Sequence, residues 1–90
     1  MHTKLFDFGR IRIESSLTAI PARDIMVACM SHCAGKWGPI SEFEEQENQA
    51  ILAGKSSGSI KSLVPLAKSI VLSLETNVFI NETSVRLHKN

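Results

Sequence analysis

The chain lacks the compositional extremes that mark specialised classes of protein. Its 90 residues carry ten Lys and Arg against nine Asp and Glu, so the formal net charge is only +1. A dedicated nucleic-acid-binding protein usually has a clear basic excess, and this balance weighs against that class. No apolar run approaches the roughly 18 residues that a membrane-spanning helix needs, so we expect no membrane partner.

The N-terminus also lacks the apolar core of a signal peptide. Asp7, Arg10 and Arg12 interrupt its hydrophobic residues, whereas a secretory signal has an unbroken apolar stretch. We therefore expect a cytoplasmic protein. Its only two cysteines, Cys29 and Cys33, are then expected to be reduced thiols.

Enough apolar residues are present for an ordinary globular fold. Hydrophobic residues make up 43% of the chain, which is typical of globular domains and argues against disorder. A chain of this length forms one domain, here residues 1–90, with a thin hydrophobic core. Composition leaves open whether the protein is a monomer or a homodimer.

The first half of the sequence predicts one strand followed by two helices. Residues 4–14 alternate in polarity with a change of phase at Gly9, which predicts a strand with a bulge at that glycine. A short helical turn is predicted over residues 17–20. A helix is predicted from Pro21 to about Ala34, with Gly35 as its left-handed C-cap.

The second helix and the last three strands complete the predicted fold. Ser41 and Glu44 have the spacing of a capping box, which predicts a helix from there to about Ala53. Strands are predicted over residues 59–64, 69–75 and 83–87. The order is β-α-α-β-β-β, and we predict an α+β fold with both helices on one face of a three- to four-stranded, mainly antiparallel sheet.

One cluster of residues has the chemistry of a catalytic or metal site. Cys29, His32 and Cys33 fall within five residues of one helix, and three such ligands could begin a zinc site. No fourth ligand and no nucleophile signature accompanies them. We therefore interpret the thiols as buried apolar groups and His32 as a structural residue that donates to a loop carbonyl. No catalytic residue, metal or cofactor is predicted.

The connection between the helices contains the only tryptophan, Trp37. Such a ring could be a binding anchor, but Gly35 and Gly38 on either side favour a ring that is buried and holds the loop. Asn48 is unfavourable inside a helix without a compensating hydrogen bond, and we expect it to reach the Trp37–Gly38 loop.

Charged residues form two separate sets. Acidic residues cluster at the start of the second helix, where the helix dipole stabilises them: Glu42, Glu44, Glu45 and Glu47. Basic residues fall on the predicted strands or their ends, and they are the candidate partner-binding set: Arg10, Arg12, Lys61, Lys68 and Arg86. Such segregation can steer a charged partner, although a scattered, solvated surface is the alternative.

The segment from His32 to Gly38, followed by Glu44 and Asn48, resembles the His-x-x-Gly-Asp-Trp-Gly block of a family of small bacterial proteins. These proteins are described as plasmid-related, and some have names taken from neighbouring restriction systems. Lys36 replaces the family's Asp, and the C-terminal third departs from the family pattern. The resemblance implies a shared fold and a mobile-element setting but no reaction. It strengthens the interpretation of these residues, together with the N-cap Ser41, as a structural motif: His32, Gly35, Trp37, Gly38, Ser41, Glu44 and Asn48.

Three functions are compatible with these observations. The first is a non-enzymatic protein-binding module of a mobile element, for example an inhibitor of a host restriction or CRISPR complex. The second is a nucleic-acid-binding accessory protein that uses a basic sheet face. The third is a small metal-dependent enzyme based on Cys29, His32 and Cys33, which we regard as the weakest of the three.

Overall fold

The computed structural model describes residues 4–66 and 70–88. Its elements follow the predicted order β-α-α-β-β-β, which confirms the α+β fold. They are strand β1 (Arg10–Ile13), a 3-10 turn (Ser15–Leu17), helix α1 (Ala22–Cys33), helix α2 (Glu42–Leu52), and strands β2 (Ser59–Pro65), β3 (Val71–Asn77) and β4 (Glu82–Leu87).

The four strands form one sheet in the order β1-β4-β3-β2. The last three strands are an antiparallel meander, as their short connections predict, but β1 lies parallel to β4. The sheet is therefore mixed rather than mainly antiparallel. About seventy residues separate β1 from its partner along the chain, so no hairpin imposes an antiparallel direction on this pair.

Strand β1 is shorter than the predicted strand over residues 4–14. It begins only at Arg10, immediately after Gly9, which has a positive φ of 61°. A Cβ atom at Gly9 would overlap the carbonyl oxygen of Asn81, so only glycine allows this close approach. The change of phase at Gly9 thus marks the transition from a loop into a strand, and the predicted bulge is wrong.

Both helices end and begin where local signals predict. Gly35 follows α1 with a φ of 85°, the conformation of a left-handed C-cap. At the start of α2, Ser41 Oγ accepts from the Glu44 amide and Glu44 Oε1 accepts from the Ser41 amide, both at 3.1 Å. These hydrogen bonds from Ser41 lower the pKa of Glu44. Among the residues described, neither helix is long and apolar enough to cross a membrane.

The helices cover one face of the sheet, and the core divides into two clusters. The larger cluster lies between α1 and the strands and consists of Leu17, Ile25, Ala28, Cys29, Leu72, Leu74 and Val85. The smaller cluster joins the interhelical loop, α2 and β2 through Trp37, Ile51 and Ile60. The opposite face of the sheet is not covered by either helix.

Candidate functional site

His32 lies in the last turn of α1 and is completely buried against the sheet. Its Nδ1 atom is 2.5 Å from Ser62 Oγ on β2, and its Nε2 atom is 2.8 Å from Thr76 Oγ1 on β3. The ring of Phe6 packs edge-on against the imidazole, with the two ring centroids 5.2 Å apart. The prediction that His32 donates to a loop carbonyl is wrong, because the ring turns towards strand hydroxyls instead.

The hydroxyl groups around His32 form a chain of hydrogen bonds whose donors and acceptors can be assigned. Thr83 Oγ1 donates to the Phe8 carbonyl oxygen at 2.6 Å, since a carbonyl can only accept. Thr83 must then accept the 2.6 Å bond from Thr76, because each hydroxyl has one proton. Thr76 in turn accepts from His32 Nε2. In the neutral imidazole the remaining nitrogen, Nδ1, then accepts from the Ser62 hydroxyl.

This chain requires a proton on Nε2 of the imidazole, and burial keeps the ring neutral. Burial lowers the pKa of His32 to about 4, because the charged form cannot be solvated in the core. Among the described residues, every buried side-chain nitrogen and oxygen has a hydrogen-bond partner. His32 therefore has no free nitrogen for a substrate, and no solvent path reaches its ring.

The two cysteines are equally enclosed. Cys29 and Cys33 have no exposed surface, and burial raises the pKa of each thiol to about 11. At neutral pH both are thiols rather than the reactive thiolates that attack substrates or bind metals. Within the described part of the chain, no group of three or more His, Cys, Asp or Glu residues is placed to hold a metal ion.

Trp37 is buried and holds the interhelical loop, as predicted. Only 8% of the residue is exposed, and its Nε1 atom donates to the His32 carbonyl oxygen at 3.1 Å. Its own carbonyl oxygen accepts from the Leu63 amide of β2 at 2.9 Å. A Cβ atom at Gly38 would overlap the Leu63 carbonyl oxygen, so this close approach of loop to strand requires glycine.

Asn48 extends the contact between the helical layer and β2. Its Nδ2 atom donates to the Lys61 carbonyl oxygen at 2.7 Å, and its Oδ1 atom accepts from the Lys61 amide at 2.9 Å. The expectation that Asn48 reaches the Trp37–Gly38 loop is wrong. Because β2 is an edge strand, the Asn48 amide and the Trp37 carbonyl together replace the neighbouring strand that β2 does not have.

Asn48 is the residue with which this role can be tested by substitution. An Asn48→Ala variant leaves both backbone groups of Lys61 without their partner, so we expect the free energy of unfolding to fall by roughly 1–3 kcal/mol. Asn48→Asp should cost at least as much, because a carboxylate would face the Lys61 carbonyl oxygen. Urea unfolding followed by circular dichroism measures both. Gln49→Ala, on the exposed side of α2, is the matched control, and equal stability of all variants would contradict the assignment.

Most of the predicted basic set does lie together, on the uncovered face of the sheet. The strand register aligns Arg12 with Ser84, Ser84 with Glu75, and Glu75 with Lys61, so these side chains form one row across that face. We call this surface the open face. Its cations are Arg10, Arg12, Lys61 and Arg86, whereas Lys68 lies outside the described residues.

Carboxylates interrupt the positive charge of the open face. Arg12 is 3.5 Å from Glu82, and Glu75 lies 3.3 Å from Arg86 and 3.9 Å from Lys61. These pairs are largely exposed, and such pairs contribute little to stability. The open face has more cations than carboxylates, but the two signs of charge are interspersed, so its surface is not uniformly positive.

Sequence reasoning missed the hydroxyl residues that surround His32: Ser62, Thr76 and Thr83. All three are buried at inward positions of their strands, and Ser62 interrupts the inward apolar residues Ile60 and Val64. Comparison with family models, with curated proteins and with solved structures gives no match to this chain.

Proposed function

We propose that this protein is a non-enzymatic module that binds another protein through the open face of its sheet. The observation that supports this is that the candidate catalytic side chains are buried. His32, Cys29 and Cys33 are fully buried, and the two nitrogens of His32 are occupied by hydroxyls. A catalytic group must reach its substrate, and these groups cannot do so without unfolding.

Two depressions on the described part of the surface are small for a small-molecule site. One depression of about 150 Å³ lies between α2 and β2, and another of about 240 Å³ lies at the end of β1. Small-molecule sites usually enclose about 300–1,000 Å³. An open, flat sheet face with exposed arginines suits a protein partner better, because arginine is enriched at protein interfaces.

The resemblance to the plasmid-related family indicates a class of partner. If the chain shares the mobile-element setting of that family, an inhibitor of a host restriction or CRISPR complex is a function consistent with a small module that has charged surfaces. This form adds a partner class to the proposal, and the geometry of the open face is compatible with it.

Nucleic-acid binding is the second candidate, because four cations share the open face. The carboxylates of Glu75 and Glu82 stand among these cations and would repel phosphates. If nucleic acid is nevertheless the ligand, affinity must fall steeply with salt, in proportion to the phosphates neutralised. A gel shift at low salt that shows no complex would eliminate this candidate.

Charge reversal on the open face provides the test of protein binding. In a pull-down from a bacterial host with quantitative mass spectrometry, Arg12→Glu/Arg86→Glu should lose the partners that the wild type retains. Arg23→Glu/Lys55→Glu makes the same change of charge at exposed positions on α1 and after α2, and should retain them. Absence of any specific partner, or equal loss with both double variants, would contradict the proposal.

A further inference from the structure

The two edge strands of the sheet differ in whether their outward backbone groups are hydrogen-bonded. At the β2 edge, Asn48 occupies both backbone groups of Lys61, and the Trp37 carbonyl accepts from Leu63. At the other edge, within the part of the chain that the structure describes, β1 pairs only with β4. An edge strand that is left unpaired offers a row of backbone donors and acceptors to another strand.

The hydrogen-bond pattern identifies which groups of β1 are free to pair. The Arg10 amide donates to Asn81 and the Glu14 amide donates to Val85. In a parallel pair, alternate residues direct both backbone groups to the same neighbour, so Arg10, Arg12 and Glu14 face β4. The backbone groups of Ile11 and Ile13 consequently point away from the sheet.

The side chains of β1 define what would fit beside it. Ile11 and Ile13 are on the inner face of the sheet, and Ile13 is 53% exposed. Arg10 and Arg12 are on the open face, and the Arg12 side chain is 71% exposed. Strand β1 therefore presents an apolar row on one face and a cationic row on the other, and a strand beside it must complement both.

A depression of about 240 Å³ continues this pattern at the end of β1. Its lining includes Arg12, Ser84 and Arg86 from the open face. Ile13 also lines it. Glu14 also contributes to the lining, and its carboxylate accepts from the Leu87 amide at 3.0 Å. The two arginines outnumber the single carboxylate of Glu14 in this lining, so the depression has a net positive charge that suits an acidic side chain.

We propose that β1 binds an extended segment of a partner protein as a fifth strand, in which acidic residues alternate with apolar ones. The acidic side chains lie over Arg10 and Arg12, and the apolar side chains lie beside Ile11 and Ile13. Backbone pairing with the free groups of Ile11 and Ile13 supplies affinity, and the alternation supplies specificity. This inference rests on the proposed protein-binding function and specifies the partner's chemistry.

Two other occupants fit this edge less well. A second copy of the chain, paired antiparallel with Ile11 opposite Ile11 or Ile13 of the first copy, would place Arg12 opposite Arg10 or Arg12, and like charges directly opposite are destabilising. The remaining register, with Ile13 opposite Ile13, would extend the pairing into the 3-10 turn that begins at Ser15. A nucleic-acid backbone offers phosphate acceptors but no amide donors for the free carbonyls of β1.

Defined peptides test the inference with the intact protein. The probe is a fluorescein-labelled peptide of five alternating valine and glutamate residues between Gly-Ser flanks, with fluorescence anisotropy as the measurement. Two control peptides have the same composition with the glutamates in one block, or lysine in place of glutamate. We expect the alternating acidic peptide to bind at least about tenfold more tightly than either control, and to slow hydrogen exchange of the Ile11 and Ile13 amides.

Variants at Ile13 separate backbone pairing from side-chain contact. Ile13→Pro removes an amide that is not used by β4, at an edge position where proline is tolerated, and should weaken peptide binding about tenfold. Ile13→Val keeps the amide and should stay within about threefold of the wild type. Circular dichroism confirms that both variants are folded. Arg12→Glu should reverse the preference from the acidic to the lysine peptide.

Several results would overturn the inference. These are equal binding of the alternating and block peptides, no binding of the alternating peptide at millimolar concentration, or equal affinity of Ile13→Pro and Ile13→Val. Self-association in sedimentation that Ile13→Pro abolishes would assign the edge to a second copy. A cellular partner that is lost with Arg12→Glu/Arg86→Glu but retained with Ile13→Pro would preserve the proposed function and reject strand addition alone.

Discussion

Replacement of Trp37 by alanine is expected to lower the free energy of unfolding by about 3–5 kcal/mol. The ring is buried with Ile51 and Ile60 in the smaller core cluster, and its removal leaves a cavity where α2, β2 and the loop meet. The His32 carbonyl oxygen also loses the Nε1 donor. Small domains have only about 5–15 kcal/mol of total stability, so a large part of the protein's stability depends on this residue.

Urea unfolding monitored by far-ultraviolet circular dichroism measures this effect, because Trp37 is itself the only tryptophan fluorophore. Trp37→Phe keeps most of the apolar volume but loses the indole N–H, and should cost clearly less than Trp37→Ala. Phe43→Ala removes an aromatic ring that is 71% exposed, and should change stability by no more than about 0.5 kcal/mol. If Trp37→Ala is as stable as the wild type but loses its partner, the ring is an interface anchor instead.

The parts of the fold that local chemistry determines were predictable from the sequence. Gly35 ends α1 and the Ser41–Glu44 capping box begins α2, because each signal acts over only three or four residues. The antiparallel meander followed from short connections between strands with alternating side chains. Burial of Trp37 could also be predicted, since the flanking glycines let the backbone turn around the ring.

The parts that depend on distant segments were not predictable. His32 contacts residues that are 30 and 44 positions away along the chain, and no local pattern indicates which strand hydroxyls will face it. Asn48 was correctly identified as needing a hydrogen-bonding partner, but the partner is the exposed edge of β2, and which strand lies at an edge follows only from the assembled sheet. The parallel direction of β1 has the same origin.

The role of the structural motif is clearer with these contacts in place. Trp37 and Asn48 complete the edge of β2, while His32 joins α1 to the inner face of the sheet through Ser62 and Thr76. The motif therefore closes one edge and one face of the sheet. The surfaces that it leaves available are the open face and the β1 edge, and both proposals above concern these surfaces.

The buried state of His32 also predicts how stability depends on pH. Its pKa is about 4 in the folded protein and about 6.5 in an unfolded chain. Between these values the unfolded chain binds a proton that the folded protein does not, so stability rises with pH across this range. The stabilisation is fully present above about pH 6.5 and is lost as the pH falls towards 4. The difference between the two pKa values corresponds to roughly 3 kcal/mol at most.

Protonation of His32 also disrupts the hydrogen-bonded chain. The second proton would occupy Nδ1, which in the neutral ring accepts from Ser62, and the Ser62 hydroxyl would then have to find another acceptor. No other group is required to change, because Thr76 continues to accept from Nε2. Acid destabilisation should therefore begin at this single buried site, before most carboxylates are protonated.

A comparison of wild type with His32→Gln isolates the contribution of the imidazole. Glutamine can hydrogen-bond to a strand hydroxyl but does not titrate, so the variant should be less stable at pH 7 and show a flatter dependence of stability between pH 6.5 and 4. Carboxylates such as Glu44 titrate in both proteins, and their effect cancels in the difference between the two curves. Parallel curves across this range would mean that His32 titrates near its ordinary pKa, and that burial does not hold the imidazole neutral.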